Sequence, residues 1–183
     1  IEYGNTDWNS IVDKITGSIP EGKDLWYQKH MAQHNLPGKN LKWVESLQNC
    51  FLIRHPREVI ISYSQKYEIL SIAQLGYLQQ IALFNMLTDM GIFPLVLDAE
   101  DVLKNPDQML KHLCKKLSIP FYREMLSWPM GCRESDGIWG QHWYGRVEVS
   151  TGFHPHVEKK GDIPSKYKNI YLYCSCSISF CVR

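Results

Sequence analysis

Apolar residues recur at helical spacing in several parts of the chain. Short helical patterns cover residues 10–16 and 41–47, and a longer one covers residues 71–90. Another begins at Asn105-Pro106, where Asn suits the cap, Pro suits the first helical position and Gln108 follows three residues after the cap. These patterns predict helices separated by loops that are rich in Gly, Pro and Asp.

Three short apolar runs without helical spacing are typical of buried strands. They are Leu25-Trp26-Tyr27, Cys50-Phe51-Leu52-Ile53 and Phe93-Pro94-Leu95-Val96-Leu97. The second run stops at Arg54-His55-Pro56-Arg57, and Pro56 suits the first turn of a helix over the following residues. Because strands alternate with helices, the pattern predicts an α/β layered fold with a mostly parallel central sheet.

Composition narrows the class of protein. The 183 residues are 44% hydrophobic and 21% charged, with a formal net charge of +1. These values exclude a disordered chain and disfavour a strongly basic nucleic-acid binder. No apolar run approaches the roughly 18–20 residues that cross a bilayer. We therefore expect a globular protein that binds neither nucleic acid nor membrane.

The cysteines and acidic residues predict no metal site. Three cysteines stand singly in apolar contexts, as reduced cysteines in the cores of cytoplasmic proteins do: Cys50, Cys114 and Cys132. Three more crowd the C-terminus, where their spacing from two histidines is not that of a standard zinc site: Cys174, Cys176 and Cys181, with His154 and His156. The acidic residues after the third apolar run are interpreted as a strand end and a helix cap: Asp98, Glu100 and Asp101.

The turn after the second predicted strand carries the strongest candidate chemistry. A helix start offers free backbone N–H groups and the positive end of the helix dipole. Arg54 adds a guanidinium group that suits a phosphate, and Ser62 adds a hydroxyl two turns along. The alternative is a basic turn whose arginines pair with surface carboxylates. Spacing alone leaves both interpretations open.

The same segment resembles the 3′-phosphate-binding element of sulfotransferases that use 3′-phosphoadenosine 5′-phosphosulfate (PAPS). In that family an Arg at a strand end is followed eight residues later by a Ser, as Arg54 and Ser62 are here, with Pro56-Arg57-Glu58-Val59 between them. Asp98-Ala99-Glu100-Asp101-Val102 followed by Asn105-Pro106 is similar to the family's strand-then-helix element in its C-terminal half. Three further segments are similar to one branch, which comprises bacterial sulfotransferase-like proteins and the N-terminal domain of plant branched-chain aminotransferase-like proteins. They are Asp136-Gly137-Ile138-Trp139, His142-Trp143-Tyr144 and Ser150-Thr151-Gly152-Phe153.

The resemblance covers roughly residues 24–153. It implies a P-loop-NTPase-like three-layer fold, with residues 1–160 as a partial sulfotransferase-like domain and residues 161–183 as an irregular tail. The family's 5′-phosphosulfate loop, a variant of the P-loop near the N-terminus, is not found in this sequence. The resemblance therefore implies that this loop and its strand lie upstream of Ile1.

The resemblance also implies roles for individual residues. His30 would be the base that takes a proton from the acceptor, since an imidazole titrates near neutral pH, and Lys29 would balance charge on the leaving phosphate. His34 is the alternative base, and a structural role for His30 stays open. Arg57 and Arg133 would make secondary phosphate contacts. Two roles are open for the aromatic residues Trp139, Trp143 and Tyr144. They could stack on an adenine or acceptor ring, but a structural aromatic cluster is the favoured role.

The function implied by the resemblance is transfer of a sulfuryl group from PAPS, as co-substrate, to a hydroxyl or amine of a small-molecule acceptor. A cytoplasmic location and no metal requirement are expected. The alternative is a non-catalytic nucleotide-binding or interaction module of the same fold. A P-loop kinase relative is disfavoured because the chain has no Walker lysine motif.

Overall fold

The computed structural model describes residues 6–35, 38–133 and 145–178 and has an α/β fold. Its helices and strands are α1 (Trp8–Thr16), β1 (Cys50–Ile53), α2 (Pro56–Ser64), α3 (Tyr77–Asp89), β2 (Leu95–Asp98), α4 (Ala99–Lys104), α5 (Pro106–Lys116), α6 (Gly145–Glu148) and α7 (Lys168–Ile178). Short 3-10 turns lie at Pro20–Gly22, Ala32–His34, Lys42–Ser46, Ile72–Leu75, Arg123–Leu126 and Ser165–Tyr167.

The sheet of the described residues consists of β1 and β2, which pair in parallel. The predicted α/β class is therefore confirmed, whereas the three-layer P-loop-like architecture stays a prediction. β1 has the predicted bounds, but only one of its faces is covered: Phe51 and Ile53 are buried, while Cys50 and Leu52 are exposed. The expectation of a strand buried on both faces is wrong, because an apolar run does not specify which layers cover it.

Two predicted strand segments differ from the structure. Leu25-Trp26-Tyr27 forms no strand, and the Leu25 and Tyr27 side chains are 55% and 81% exposed. A short apolar run has strand propensity, but it becomes a strand only where a neighbouring strand can hydrogen-bond to it. β2 begins at Leu95, two residues later than predicted, and Phe93 is exposed.

The helix starts follow the local sequence signals. Asp7 caps α1 by accepting from the Ser10 N–H at 2.8 Å. Pro56 begins α2, as predicted. Asn105 caps α5: its Oδ1 accepts from the Gln108 N–H at 3.3 Å, and its Nδ2 donates to Gln108 Oε1 at 2.8 Å. Caps of this kind depend on residues within one turn, so the sequence predicts them well.

The long helix predicted over residues 71–90 is divided at Gly76. The 3-10 turn Ile72–Leu75 precedes this glycine, and α3 begins at Tyr77. Gly76 has a φ of +78°, and a Cβ there would lie 3.3 Å from atoms of Ala32 and Gln33. Gly76 therefore redirects the chain and lets the 3-10 turn at Ala32–His34 approach closely.

Gly76→Ala is expected to destabilise the protein by about 2–3 kcal/mol, since it adds left-handed strain and crowding to one buried position. Gly91→Ala is the matched control. Gly91 also has a φ of +78°, but a Cβ there would meet nothing within 4 Å. Gly91→Ala should therefore lower the free energy of unfolding by only about 1 kcal/mol. Urea denaturation of both variants measures the difference. If both variants lose the same free energy of unfolding, crowding against the Ala32–His34 turn does not contribute to the effect of Gly76→Ala.

The structure divides into two compact units. The first contains the described residues of Ile1–Phe51, His55–Val96 and Lys160–Arg183. One hydrophobic cluster in this unit surrounds buried Val44, Phe51 and Leu87, and a second surrounds Ile60, Ile69 and Tyr167. The second cluster includes residues beyond 160, and α7 packs against α2 and α3. An irregular segment was expected here, but the region forms a packed helix.

The second unit contains the described residues of Leu52–Arg54 and Leu97–Lys159. α4 and α5 pack against each other, and Cys114 on α5 is buried with its Sγ 3.9 Å from Met125 Sδ. The Trp128 and Phe153 rings pack edge to face, with their centroids 5.4 Å apart.

Candidate functional site

The segment that resembles a phosphate-binding element has the predicted strand–turn–helix form. Arg54 follows β1 directly, and α2 carries Ser62 in its last turns. Both side chains are half-buried. The roles of Arg54 and Ser62 remain predictions.

The first turn of α2 uses its own backbone donors. The Arg57 N–H donates to His55 Nδ1 at 3.3 Å, and the Glu58 and Val59 N–H groups donate to the His55 carbonyl oxygen at 3.0 and 3.3 Å. Pro56, at the first position, has no N–H. The expectation that this helix start offers unused N–H groups is therefore wrong, and an anion bound here must rely on side chains.

Arg57 has a partner far along the sequence. Its Nη2 donates to the Gly161 carbonyl oxygen at 2.7 Å. A guanidinium group has five N–H donors, so this bond uses only part of its capacity. The contact joins the start of α2 to the segment before α7.

His30 is held by a short chain of polar contacts. Gln28 Nε2 donates to the Ile15 carbonyl oxygen at 2.8 Å, which directs Gln28 Oε1 toward His30 Nε2 at 3.1 Å. Because an amide oxygen only accepts, His30 Nε2 is assigned the hydrogen. In the neutral imidazole, Nδ1 is then the nitrogen that can take a proton.

The surroundings of His30 favour its neutral form. Its ring centroid lies 5.4 Å from that of Trp43. Partial loss of water around the imidazole lowers the pKa of His30 below its ordinary value. A neutral imidazole at physiological pH is the state that a general base requires. The catalytic role of His30 remains a prediction.

The other two catalytic candidates lie close to His30 in the chain. Lys29 is exposed in the segment before the Ala32–His34 turn. His34 is also exposed, and its N–H donates to the Met31 carbonyl oxygen at 2.9 Å within that turn. These contacts leave the choice between His30 and His34 open, but only His30 has the Gln28 contact that assigns its tautomer.

Arg133 lines a cavity of about 520 Å³ in the second unit. Its apolar wall includes Trp128 and Val147, and Glu124 adds a carboxylate. Trp128 Nε1 donates to the Ser150 hydroxyl at 3.0 Å, and Ser150 is buried. Ser150 belongs to the segment Ser150-Thr151-Gly152-Phe153, one of the segments on which the family resemblance depends. This segment therefore supports the Trp128 side of the cavity.

The acidic residues after β2 act as the sequence indicated. Asp98 caps α4 by accepting from the Glu100 N–H at 2.8 Å, and Glu100 pairs with Lys104 at 2.6 Å. Within residues 6–35, 38–133 and 145–178, no three His, Cys, Asp or Glu side chains gather closely enough to hold a metal ion. In the same ranges, no helix combines the length and apolar character of a membrane span.

The cysteines differ from the expectation of buried core residues. Cys114 is buried, whereas Cys50 and Cys132 are exposed. Cys174 is buried in α7, and its burial raises the pKa of the thiol to about 11. Several named residues lie outside the described ranges: Gly137, Trp139, His142, Trp143, Tyr144 and Cys181.

Sequence reasoning missed the residues that support the candidates. Gln28 contacts His30 through its amide oxygen while its amide nitrogen donates to Ile15, thirteen residues earlier. Gly161 accepts from Arg57 across 104 residues. Neither residue type at these positions carries a motif, so no sequence signal could have found them.

Comparison with known proteins places the chain in a family. Residues 5–176, nearly its whole length, match the family model described as sulfotransferase domain. The chain belongs to this family. The resemblance on which the sequence analysis depends is therefore confirmed.

Two curated relatives from Arabidopsis thaliana are similar to this sulfotransferase domain. Branched-chain-amino-acid aminotransferase-like protein 1 is 34% identical over 143 residues, which cover 78% of this chain and 25% of the relative. Branched-chain-amino-acid aminotransferase-like protein 2 is 31% identical over 164 residues, which cover 90% of this chain and 29% of the relative. The chain thus spans between a quarter and a third of the length of these relatives. No solved structure matches the chain.

Proposed function

We propose that this sulfotransferase domain transfers a sulfuryl group from PAPS to a hydroxyl or amine of a small-molecule acceptor. The observation that carries the proposal is the segment from β1 to α2. Arg54 follows its strand and Ser62 lies on its helix, in a chain whose residues 5–176 match the sulfotransferase domain.

The nucleotide side of the proposal depends on charge and hydroxyl donors. Arg54 and Ser62 bind the 3′-phosphate, because a guanidinium and a hydroxyl form short, charge-assisted bonds to phosphate oxygens. Arg133 provides a second cationic contact. Side chains must supply this recognition, because the first backbone N–H groups of α2 already have acceptors at His55.

The chemical step pairs His30 with the acceptor. The acceptor oxygen or nitrogen attacks sulfur, and its proton passes to His30 Nδ1. The bond between sulfur and the phosphate oxygen breaks, and 3′-phosphoadenosine 5′-phosphate leaves with the bonding electrons. Lys29 offsets the charge that develops on this leaving group. Support comes from the Gln28 contact, which assigns the hydrogen to Nε2 and leaves Nδ1 as the base.

Two measurements on the purified full-length protein test the proposal. Calorimetric titration with 3′-phosphoadenosine 5′-phosphate measures binding, and transfer of radiolabelled sulfate from PAPS to a panel of phenols, alcohols and amines measures turnover. Binding together with transfer supports the enzyme. Binding without transfer to any acceptor would favour the non-catalytic module, and no binding would overturn both.

A further inference from the structure

The start of α2 and the loop after it are tied to the segment that precedes and begins α7. At the start of the helix, Arg57 Nη2 donates to the Gly161 carbonyl oxygen at 2.7 Å. In the loop after the helix, the Ile69 N–H donates to the Tyr167 hydroxyl oxygen at 3.2 Å. Lys166 Nζ contacts Glu68 Oε1 at 3.0 Å beside this bond. All of these groups lie in the first unit.

Apolar packing joins the same two parts of the chain. Tyr167 is 4% exposed and clusters with Ile60 of α2, which is fully buried, and with Ile69. Side chains of α2, α7 and the segments around them complete the cluster: Tyr63, Leu75, Ile163, Ile170 and Tyr171. At the helix start, the His55 and Tyr171 rings lie 6.3 Å apart. The contacts therefore involve the start of α2, one face of the helix and the loop that follows it.

We propose that residues 161–171 position α2 for nucleotide binding, with Arg57 and Tyr167 as positioning residues. This inference rests on the proposed function, because it assigns what holds the helix that bears Ser62. It also gives Arg57 a different role from the sequence expectation. Arg57 acts through its bond to Gly161 and does not contact the phosphate.

The length of α2 explains why such positioning is needed. A helix of nine residues is marginal in water by itself, so tertiary contacts determine its stability and direction. A hydrogen bond at the helix start and another in the loop after the helix restrain α2 on both sides of its apolar contacts. Because phosphate recognition is sensitive to displacements of about 1 Å, release of either bond would move Ser62 away from a bound 3′-phosphate.

Tyr167→Phe tests the bond in the loop after α2. The variant keeps the buried ring and removes the hydroxyl oxygen, which accepts from the Ile69 N–H and also contacts the exposed Lys166. Affinity for 3′-phosphoadenosine 5′-phosphate is expected to fall about three- to tenfold, the scale of one hydrogen bond. Affinity for adenosine 5′-phosphate, which has no 3′-phosphate, should not change. Tyr122→Phe, at a tyrosine that is 57% exposed in the second unit, is the control and should change neither affinity.

Hydrogen exchange without nucleotide separates positioning from direct contact. Arg57→Ala and Tyr167→Phe should each raise the rate of amide exchange in α2. Replacement of a residue that only contacts the phosphate would leave this rate unchanged in the protein without nucleotide. Unchanged exchange rates in both variants would overturn the inference. Faster exchange with undiminished affinity for 3′-phosphoadenosine 5′-phosphate would also overturn it. If the unsubstituted protein binds no bisphosphate, the proposed function fails and the nucleotide role of the segment fails with it. The exchange data would then still report whether residues 161–171 hold α2.

Discussion

His30→Ala is expected to lower the rate of sulfuryl transfer by about 10²–10⁴, the usual contribution of a positioned general base. Affinity for 3′-phosphoadenosine 5′-phosphate should stay nearly unchanged, because the imidazole acts on the acceptor and not on the nucleotide. The measurement is single-turnover transfer of labelled sulfate, together with calorimetric titration of the variant. Similar losses of rate and affinity would indicate that His30 supports the fold instead.

The pH dependence of the rate gives a second test of His30. The base must be neutral, so the rate should rise with pH as His30 loses its proton. Partial burial lowers the pKa of His30, so the midpoint of this rise should lie below 6.5. His34→Ala is the control. A larger rate loss there than in His30→Ala, with the pH profile of the remaining activity changed, would assign the base to His34.

Arg54→Ala is expected to weaken binding of 3′-phosphoadenosine 5′-phosphate by roughly 2–3 kcal/mol, the scale of a lost charge-assisted contact. Adenosine 5′-phosphosulfate, which has no 3′-phosphate, should bind almost as before. Calorimetric titration of the variant with both ligands measures the difference. This selectivity separates recognition of the 3′-phosphate from a general structural role.

Arg123→Ala provides a matched control for Arg54. Arg123 is an exposed arginine in the 3-10 turn Arg123–Leu126, and it belongs to the same unit. Its loss removes one positive charge without touching the predicted element, so both affinities should be retained. Equal weakening of both ligands by Arg54→Ala would show that Arg54 does not read the 3′-phosphate.

Local signals explain the elements that could be predicted. Pro56 at the first position of α2 and the Asn105–Gln108 contacts at α5 depend on residues within one helical turn. The bounds of β1 follow in the same way, because the apolar run ends at Arg54. The division at Gly76 was missed, since the apolar spacing continues through this glycine and only its left-handed φ interrupts the helix.

The candidate site shows the same limit. Its principal residues could be selected from the sequence, because Arg54 and Ser62 have a spacing typical of a known family. The contacts of His30 with Gln28 and Trp43 could not be predicted from the sequence. They depend on how the loop after α1 returns to the 3-10 turn Lys42–Ser46. The tautomer and the lowered pKa of His30 follow from those contacts.

The sequence by itself determined the family, the strand–Arg54–helix segment and the helix caps, because each depends on a short run of residues. Only the tertiary structure decided that Leu25-Trp26-Tyr27 forms no strand, that β1 is covered on one face and that residues beyond 160 pack against α2. Strand pairing and burial require partners from distant parts of the chain. The bond between Ile69 and Tyr167 joins residues 98 positions apart, and no local pattern encodes that pairing.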